Sequence, residues 1–150
     1  FLGDTWSYEV FIQNIGLGDY EFSINDQFGP YQDSPYFDQV YPGISKLFIR
    51  DKNSCGIAEI EVSLLGHMKY FSPNGDGLND YWHILGVNEN FQPKSRIYIY
   101  NRFGQLLLYI EPSQKGWDGT FNGGQLPQDD YWFRVFFEDG REHSGHFSLL

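Results

Sequence analysis

The chain has 150 residues, enough for one ordinary domain or two small ones, and its aromatic content of 19%, with 11 Tyr and 14 Phe, is that of a β-rich protein. A formal net charge of −10 excludes a nucleic-acid backbone or an anionic membrane surface as partner, since both would repel it. The longest apolar stretches fall far short of the roughly 20 residues of a spanning helix, so direct membrane insertion is not expected, and nothing has the layout of a signal peptide.

Strand signals recur at short intervals between turn-forming residues, and no stretch carries a helical apolar period. The first half predicts strands over 6–12, 19–24, 44–50 and 57–65. The alternation Ile60-Glu61-Val62-Ser63-Leu64 is the clearest, with apolar side chains on one face and polar ones on the other. Residues 27–35, rich in Gly, Pro, Gln and Asp, predict a surface loop. The second half predicts strands over 68–71, 81–87, 96–100, 106–110, 131–137 and 143–150. Asn101-Arg102-Phe103-Gly104 and Glu138-Asp139-Gly140-Arg141 mark turns between apolar runs, the latter with the Asp-Gly hairpin signal.

This spacing predicts an all-β chain of two small antiparallel β-sandwich, immunoglobulin-like modules in tandem, residues 1–66 and 67–150. The charge balance changes at the same boundary: residues 1–66 hold ten acids against three bases, residues 67–150 ten against seven. The sequence opens directly on what reads as folded chain, Phe1-Leu2-Gly3-Asp4-Thr5, and is expected to be a piece of a larger protein. Cys55, the single cysteine, cannot form an internal disulfide and is expected to be a small buried apolar residue.

The densest constellation of oxygen-bearing side chains is Ser72-Pro73-Asn74-Gly75-Asp76-Gly77-Leu78-Asn79-Asp80. Asn74, Asp76, Asn79 and Asp80 are spaced like the early positions of a calcium loop, in which alternate side chains wrap a hard cation; a bound Ca2+ is one expectation. The bidentate Glu that closes an EF-hand is missing. The other expectation is a turn capped by Asn and Asp side chains, with both glycines at positive φ. In Trp117-Asp118-Gly119-Thr120, Asp118 is expected to accept N–H bonds in its own turn while Trp117 seats the loop on the core; a sugar-stacking tryptophan is the alternative.

The residues give little reason to expect an enzyme. His143 and His146 on one strand would face opposite sides, and adjacent Asp129 and Asp130 would diverge, so neither pair can converge on a metal or a substrate. His67 and His83 stand alone in sequence. There is no phosphate-cradling glycine loop, nucleophile elbow or zinc spacing.

From residue 70 onward the motifs occur in a characteristic order. Phe71-Ser72-Pro73-Asn74-Gly75-Asp76-Gly77-Leu78-Asn79-Asp80-Tyr81-Trp82 is followed by Ile99-Tyr100-Asn101-Arg102-Phe103-Gly104, Trp117-Asp118-Gly119, Gly124-Gln125-Leu126-Pro127, Asp130-Tyr131-Trp132-Phe133 and Gly145-His146-Phe147-Ser148-Leu149. Residues 67–150 thus resemble the gliding-motility-associated C-terminal domain, the type B sorting domain of the type IX secretion system. The resemblance implies a non-catalytic targeting module that directs a larger protein, such as a gliding-associated adhesin of Bacteroidota, to the cell surface or medium. It implies as partners the type IX outer-membrane translocon and a PorP/SprF-like outer-membrane protein. Lys94, Arg96, Arg102 and Arg141, bases in an acidic chain, are the candidate partner-binding residues. The sequence departs from the family in ending at Leu150 without the basic residue or two that members commonly add, and a trimmed tail is expected. Residues 1–66 resemble more weakly the immunoglobulin/PKD-like repeats that precede such domains, through Tyr20-Glu21-Phe22-Ser23-Ile24-Asn25 and Val40-Tyr41-Pro42-Gly43. The competing function is a calcium-stabilised adhesion or carbohydrate-binding module, which a flat row of exposed aromatics would favour and burial of Trp82, Trp117 and Trp132 would disfavour.

Overall fold

The computed structural model describes residues 7–13, 15–53 and 56–150; Cys55 lies outside them. All of its regular structure is strand: β1 (Tyr8–Phe11), β2 (Tyr20–Ile24), β3 (Tyr36–Val40), β4 (Gly43–Asp51), β5 (Ile57–Leu64), β6 (Gly66–His67), β7 (Tyr70–Phe71), β8 (Ile84–Leu85), β9 (Arg96–Tyr100), β10 (Leu106–Ile110), β11 (Thr120–Phe121), β12 (Gly124–Gln125), β13 (Asp129–Phe136) and β14 (Glu142–Leu149). The chain divides into two compact units between Leu64 and Leu65.

In the first unit, β2, β4 and β5 form an antiparallel sheet in that order, and β1 pairs with β3. Phe22, Phe37, Val40 and Leu47 make its buried centre, with Val10, Ile49, Val62 and Leu64 packed around them. Strand β3 was not expected from the sequence. It carries a bulge: the step of two positions from Tyr8 to Val10 in β1 faces a step of three from Phe37 to Val40 in β3, and Gln39 in between takes φ 53°. A bulge breaks the period of two, so Phe37 and Val40 both point inward from positions three apart. The alternation in β5 holds only in part. Ile60 pairs with buried Leu47 but is itself 47% exposed, because β5 is the edge of its sheet.

The second unit is built on one five-stranded sheet, in the order β10-β9-β13-β14-β7. All neighbours are antiparallel except β14 and β7, which run parallel through Ser148 with Tyr70 and Leu149 with Phe71. The inward positions of β9, β13 and β14, namely Ile97, Ile99, Tyr131, Phe133, Val135, Phe147 and Leu149, bury almost completely. Trp82, Trp117, Phe71 and Ile84 belong to the same core. Short pieces supply these last side chains: β7 brings Phe71, β8 of the β6–β8 ladder brings Ile84, and a bridge between their own backbones brings Trp82 and Trp117. The predicted strand over 81–87 is therefore reduced to Ile84–Leu85, since Trp82 spends its backbone on the bridge instead of a ladder.

Candidate functional site

The loop over residues 72–80 closes on itself. Asp80 is its keystone: Oδ1 accepts the Gly75 N–H at 2.8 Å and Oδ2 the Gly77 N–H at 2.8 Å. Asn74 Oδ1 accepts the Asp76 N–H at 3.1 Å, and Asp76 Oδ1 the Leu78 N–H at 2.7 Å. These are Asx turns, and they need the local freedom that Gly75 and Gly77 provide at φ 79° and 84°. Asn79, at φ 51°, gives its carbonyl to the Ser72 N–H at 2.8 Å. Thus the four residues considered as calcium ligands share one loop, but four of their side-chain oxygens face amide protons. A calcium ion here would have to share these oxygens with the N–H groups they bind, through the lone pair each keeps. Among the described residues, no group of three His, Cys, Asp or Glu side chains gathers where it could hold a metal ion.

Trp117 is 2% exposed, and its indole N–H donates to the Thr120 carbonyl at 2.8 Å. That burial removes the sugar-stacking alternative for this residue. Asp118 accepts both the Thr120 N–H at 3.0 Å and its hydroxyl at 2.7 Å, bonds that hold the Asp118 carboxyl below its usual range. Trp82 is fully buried and donates to the Met68 carbonyl at 2.8 Å.

The four candidate partner-binding bases fall into two groups. Lys94, Arg96 and Arg141 lie at the end of the sheet where β13 turns into β14. The Lys94 N–H donates to Glu138 at 2.9 Å, Arg96 stands 5.2 Å over the Phe136 ring, and Arg141 grips Asp139 through two guanidinium nitrogens at 2.9 and 2.6 Å. That grip holds the Asp139 carboxyl far below its ordinary range. Arg102 lies at the other end of β9, in the turn before β10, with Asp129 at 3.6 Å and the Phe103 ring at 4.9 Å.

Of the three tryptophans whose burial would count against an aromatic binding face, Trp82 and Trp117 are buried and Trp132 is not. The outward residues of the five-stranded sheet form ordered rows across its strands. One row runs Leu106, Tyr100, Trp132 and His146, the next Tyr109, Tyr98, Arg134 and Ser144, and the third Arg96, Phe136 and Glu142. Trp132 is 41% exposed and Tyr109 44%. Arg134, absent from the predicted set, pairs with Glu142 at 3.3 Å and lies 4.9 Å over Phe136, so that ring faces two guanidinium groups. Residues Tyr100, Asn101, Arg102, Trp132 and Arg134 border an open depression of about 460 Å³. The signal was present in Tyr131-Trp132-Phe133-Arg134-Val135-Phe136, whose alternate members are aromatic or cationic and must face away from the core.

The histidines separate as strand alternation requires. His143 packs with His67 at 5.5 Å and with Phe133 at 5.5 Å, whereas His146 lies 6.1 Å from Trp132 on the outer face. His67 is partly buried; that burial, followed by the charges of His143, His146 and Lys69, lowers it from its ordinary 6.5 to about 4. His83 Nδ1 lies 2.7 Å from the Ile84 carbonyl, remote from this pair in sequence.

The model of the CHU_C type IX secretion signal domain family matches residues 65–149. No curated protein matches the chain. Among solved structures, dimeric latent PorU from Porphyromonas gingivalis is similar at 15% identity and a TM-score of 0.32, over 95% of this chain and 18% of that one. The chain thus spans less than a fifth of that protein's length, and so distant a likeness bears on neither mechanism nor partner.

Proposed function

The chain belongs to the CHU_C type IX secretion signal domain family, and we propose that its second unit is the surface by which a larger protein is presented to the outer-membrane translocon. The module is a type IX sorting signal, interacts with that secretion machinery and accompanies export across the outer membrane to the cell surface or medium. One observation carries the reading: the family match over residues 65–149 coincides with a compact unit, Leu65–Leu150, that has its own core and offers ordered side chains on its outside.

The finer reading is that a PorP/SprF-like outer-membrane protein receives the module, that the cargo is a gliding-associated adhesin, and that the module works by recognition without catalysis. Three features support recognition. Lys94, Arg96 and Arg141 cluster at the hairpin end of the sheet, the β10 edge is apolar, and Phe103 projects from its turn at 80% exposure. The first unit would then serve as a spacer. Calcium in the 72–80 loop stands as a separate proposal, supported by the residue spacing alone.

A fluorescent reporter fused ahead of the whole chain, expressed with a leader in a type IX-competent cell, tests the reading. Arrival of the reporter outside the outer membrane, and its loss when the PorP/SprF-like protein is deleted, is the expected result. Periplasmic retention with the partner present would overturn it.

A further inference from the structure

We propose that the outer face of the five-stranded sheet, centred on Trp132 and Tyr100, is a binding site for a neutral, hydroxyl-rich saccharide chain. This rests on the geometry of the face and is independent of the sorting role. Trp132 and Tyr100 are direct cross-strand partners, so both side chains leave the same face of the sheet from strands about 5 Å apart. Trp132 is 41% exposed, in a fold that has buried Trp82 and Trp117 almost completely. A contiguous aromatic surface left open to water is the informative exception on a small domain.

What surrounds the rings decides the ligand. Arg134 follows Trp132 on the same face, and Asn101 and Arg102 rise from the turn beyond Tyr100 to border a depression of about 460 Å³. Each guanidinium has a single acidic partner in an exposed pair, Arg102 with Asp129 at 3.6 Å and Arg134 with Glu142 at 3.3 Å. Such pairs are weak, and a five-donor fork joined to one carboxylate oxygen keeps donors for a ligand. Because the charges cancel in pairs, the site has no excess to attract a polyanion, as nucleic acid or a polyuronate would need. Trp, Tyr and Arg also serve protein hot spots, so the export readout below separates that occupant from a saccharide. Apolar ring faces set among paired donors and acceptors match a pyranose: its C–H face lies on indole or phenol, and its rim of hydroxyls meets guanidinium, amide and carboxylate.

The test is tryptophan fluorescence of the whole chain titrated with cellohexaose, xylohexaose, mannohexaose and hexagalacturonate at low and high salt. At least one neutral hexasaccharide is expected to shift the emission saturably and independently of salt. Trp132→Ala and Tyr100→Ala should weaken its binding about tenfold or more, read by calorimetry, with an unchanged melting temperature, since both side chains face outward. Phe28→Ala, an exposed aromatic of the other unit, should bind as the native chain does. The proposal is overturned if no neutral hexasaccharide binds, if only hexagalacturonate binds and salt abolishes it, or if Trp132→Ala retains full affinity. Loss of reporter export in Trp132→Ala without saccharide binding by the native chain would assign the face to a protein partner and likewise overturn it.

Discussion

Trp82 and Phe147 lie stacked, with ring centroids 4.1 Å apart and planes 16° from parallel. Phe147 also meets Trp117 edge-on at 6.1 Å and Phe71 at 5.9 Å, so one strand residue ties together side chains from four segments of the domain. Both stacked residues are essentially fully buried. Phe147→Ala should therefore destabilise the second unit by about 3–5 kcal/mol, read from the urea unfolding transition of the whole chain. A loss below about 1 kcal/mol would mean that the ring is not central to the core.

Gly116 occupies φ 124° beside the Trp82–Trp117 bridge, whose two backbone hydrogen bonds measure 2.9 Å each. A Cβ at this position would overlap the Trp82 carbonyl oxygen. Gly116→Ala must therefore strain the backbone and break the bridge, a cost of about 2–4 kcal/mol. Thermal unfolding of this variant against the exposed control Gly140→Ala, which meets nothing within 4 Å, separates the overlap from left-handed strain alone.

Asp80→Ala removes both acceptors that close the 72–80 loop and should lower stability by about 1–2 kcal/mol, with or without a chelator present. Asp76→Ala, which removes one turn bond, should cost less. Calorimetric melting in calcium and in chelator checks both points. A drop in melting temperature on chelation, mimicked by Asp76→Ala, would establish calcium as the agent that closes the loop.

His67 makes stability depend on pH in a defined window. An unfolded histidine takes up its proton near pH 6.5, while folded His67 refuses it until about pH 4. Between these values the unfolded chain binds more protons, so stability falls as pH drops from 6.5 to 4, and this group adds no further change below that. The shift caps the effect near ~3 kcal/mol; solvent screening of a half-buried ring reduces it to about 1–2 kcal/mol. Urea unfolding at pH 7 and pH 4.5 should show the slope in the native chain and a flatter one in His67→Gln.

Much of the second unit was legible because its strands follow local rules. Residues 96–100 and 106–110 alternate or cluster apolar side chains between marked turns, and each became a strand with the expected ends. The Glu138-Asp139-Gly140-Arg141 hairpin formed with Gly140 at φ 94° and the Phe137 N–H bonded to the Arg141 carbonyl. What stayed hidden depends on partners distant in sequence. Trp82 reads as strand, but its backbone is claimed by Trp117, and β3 is concealed by a bulge whose register is set by β1. At the sites, spacing placed Asn74, Asp76, Asn79 and Asp80 on one loop but could not show which amide protons their oxygens accept. Net charge directed attention to Lys94, Arg96, Arg102 and Arg141 and so passed over Arg134, which strand parity places on the same face as Trp132.

The parallel pairing of β7 with β14 gives the domain a temporal property. Its first strand in this sheet is fastened to its last, through Ser148 N–H to Lys69 and Leu150 N–H to Phe71. Nascent chain emerging in order must hold Tyr70 and Phe71 without this partner until β14 arrives, so the sheet closes only once the whole module is present. A sorting module wired in this way depends on its last strand: a copy cut short before β14 cannot display the same closed surface.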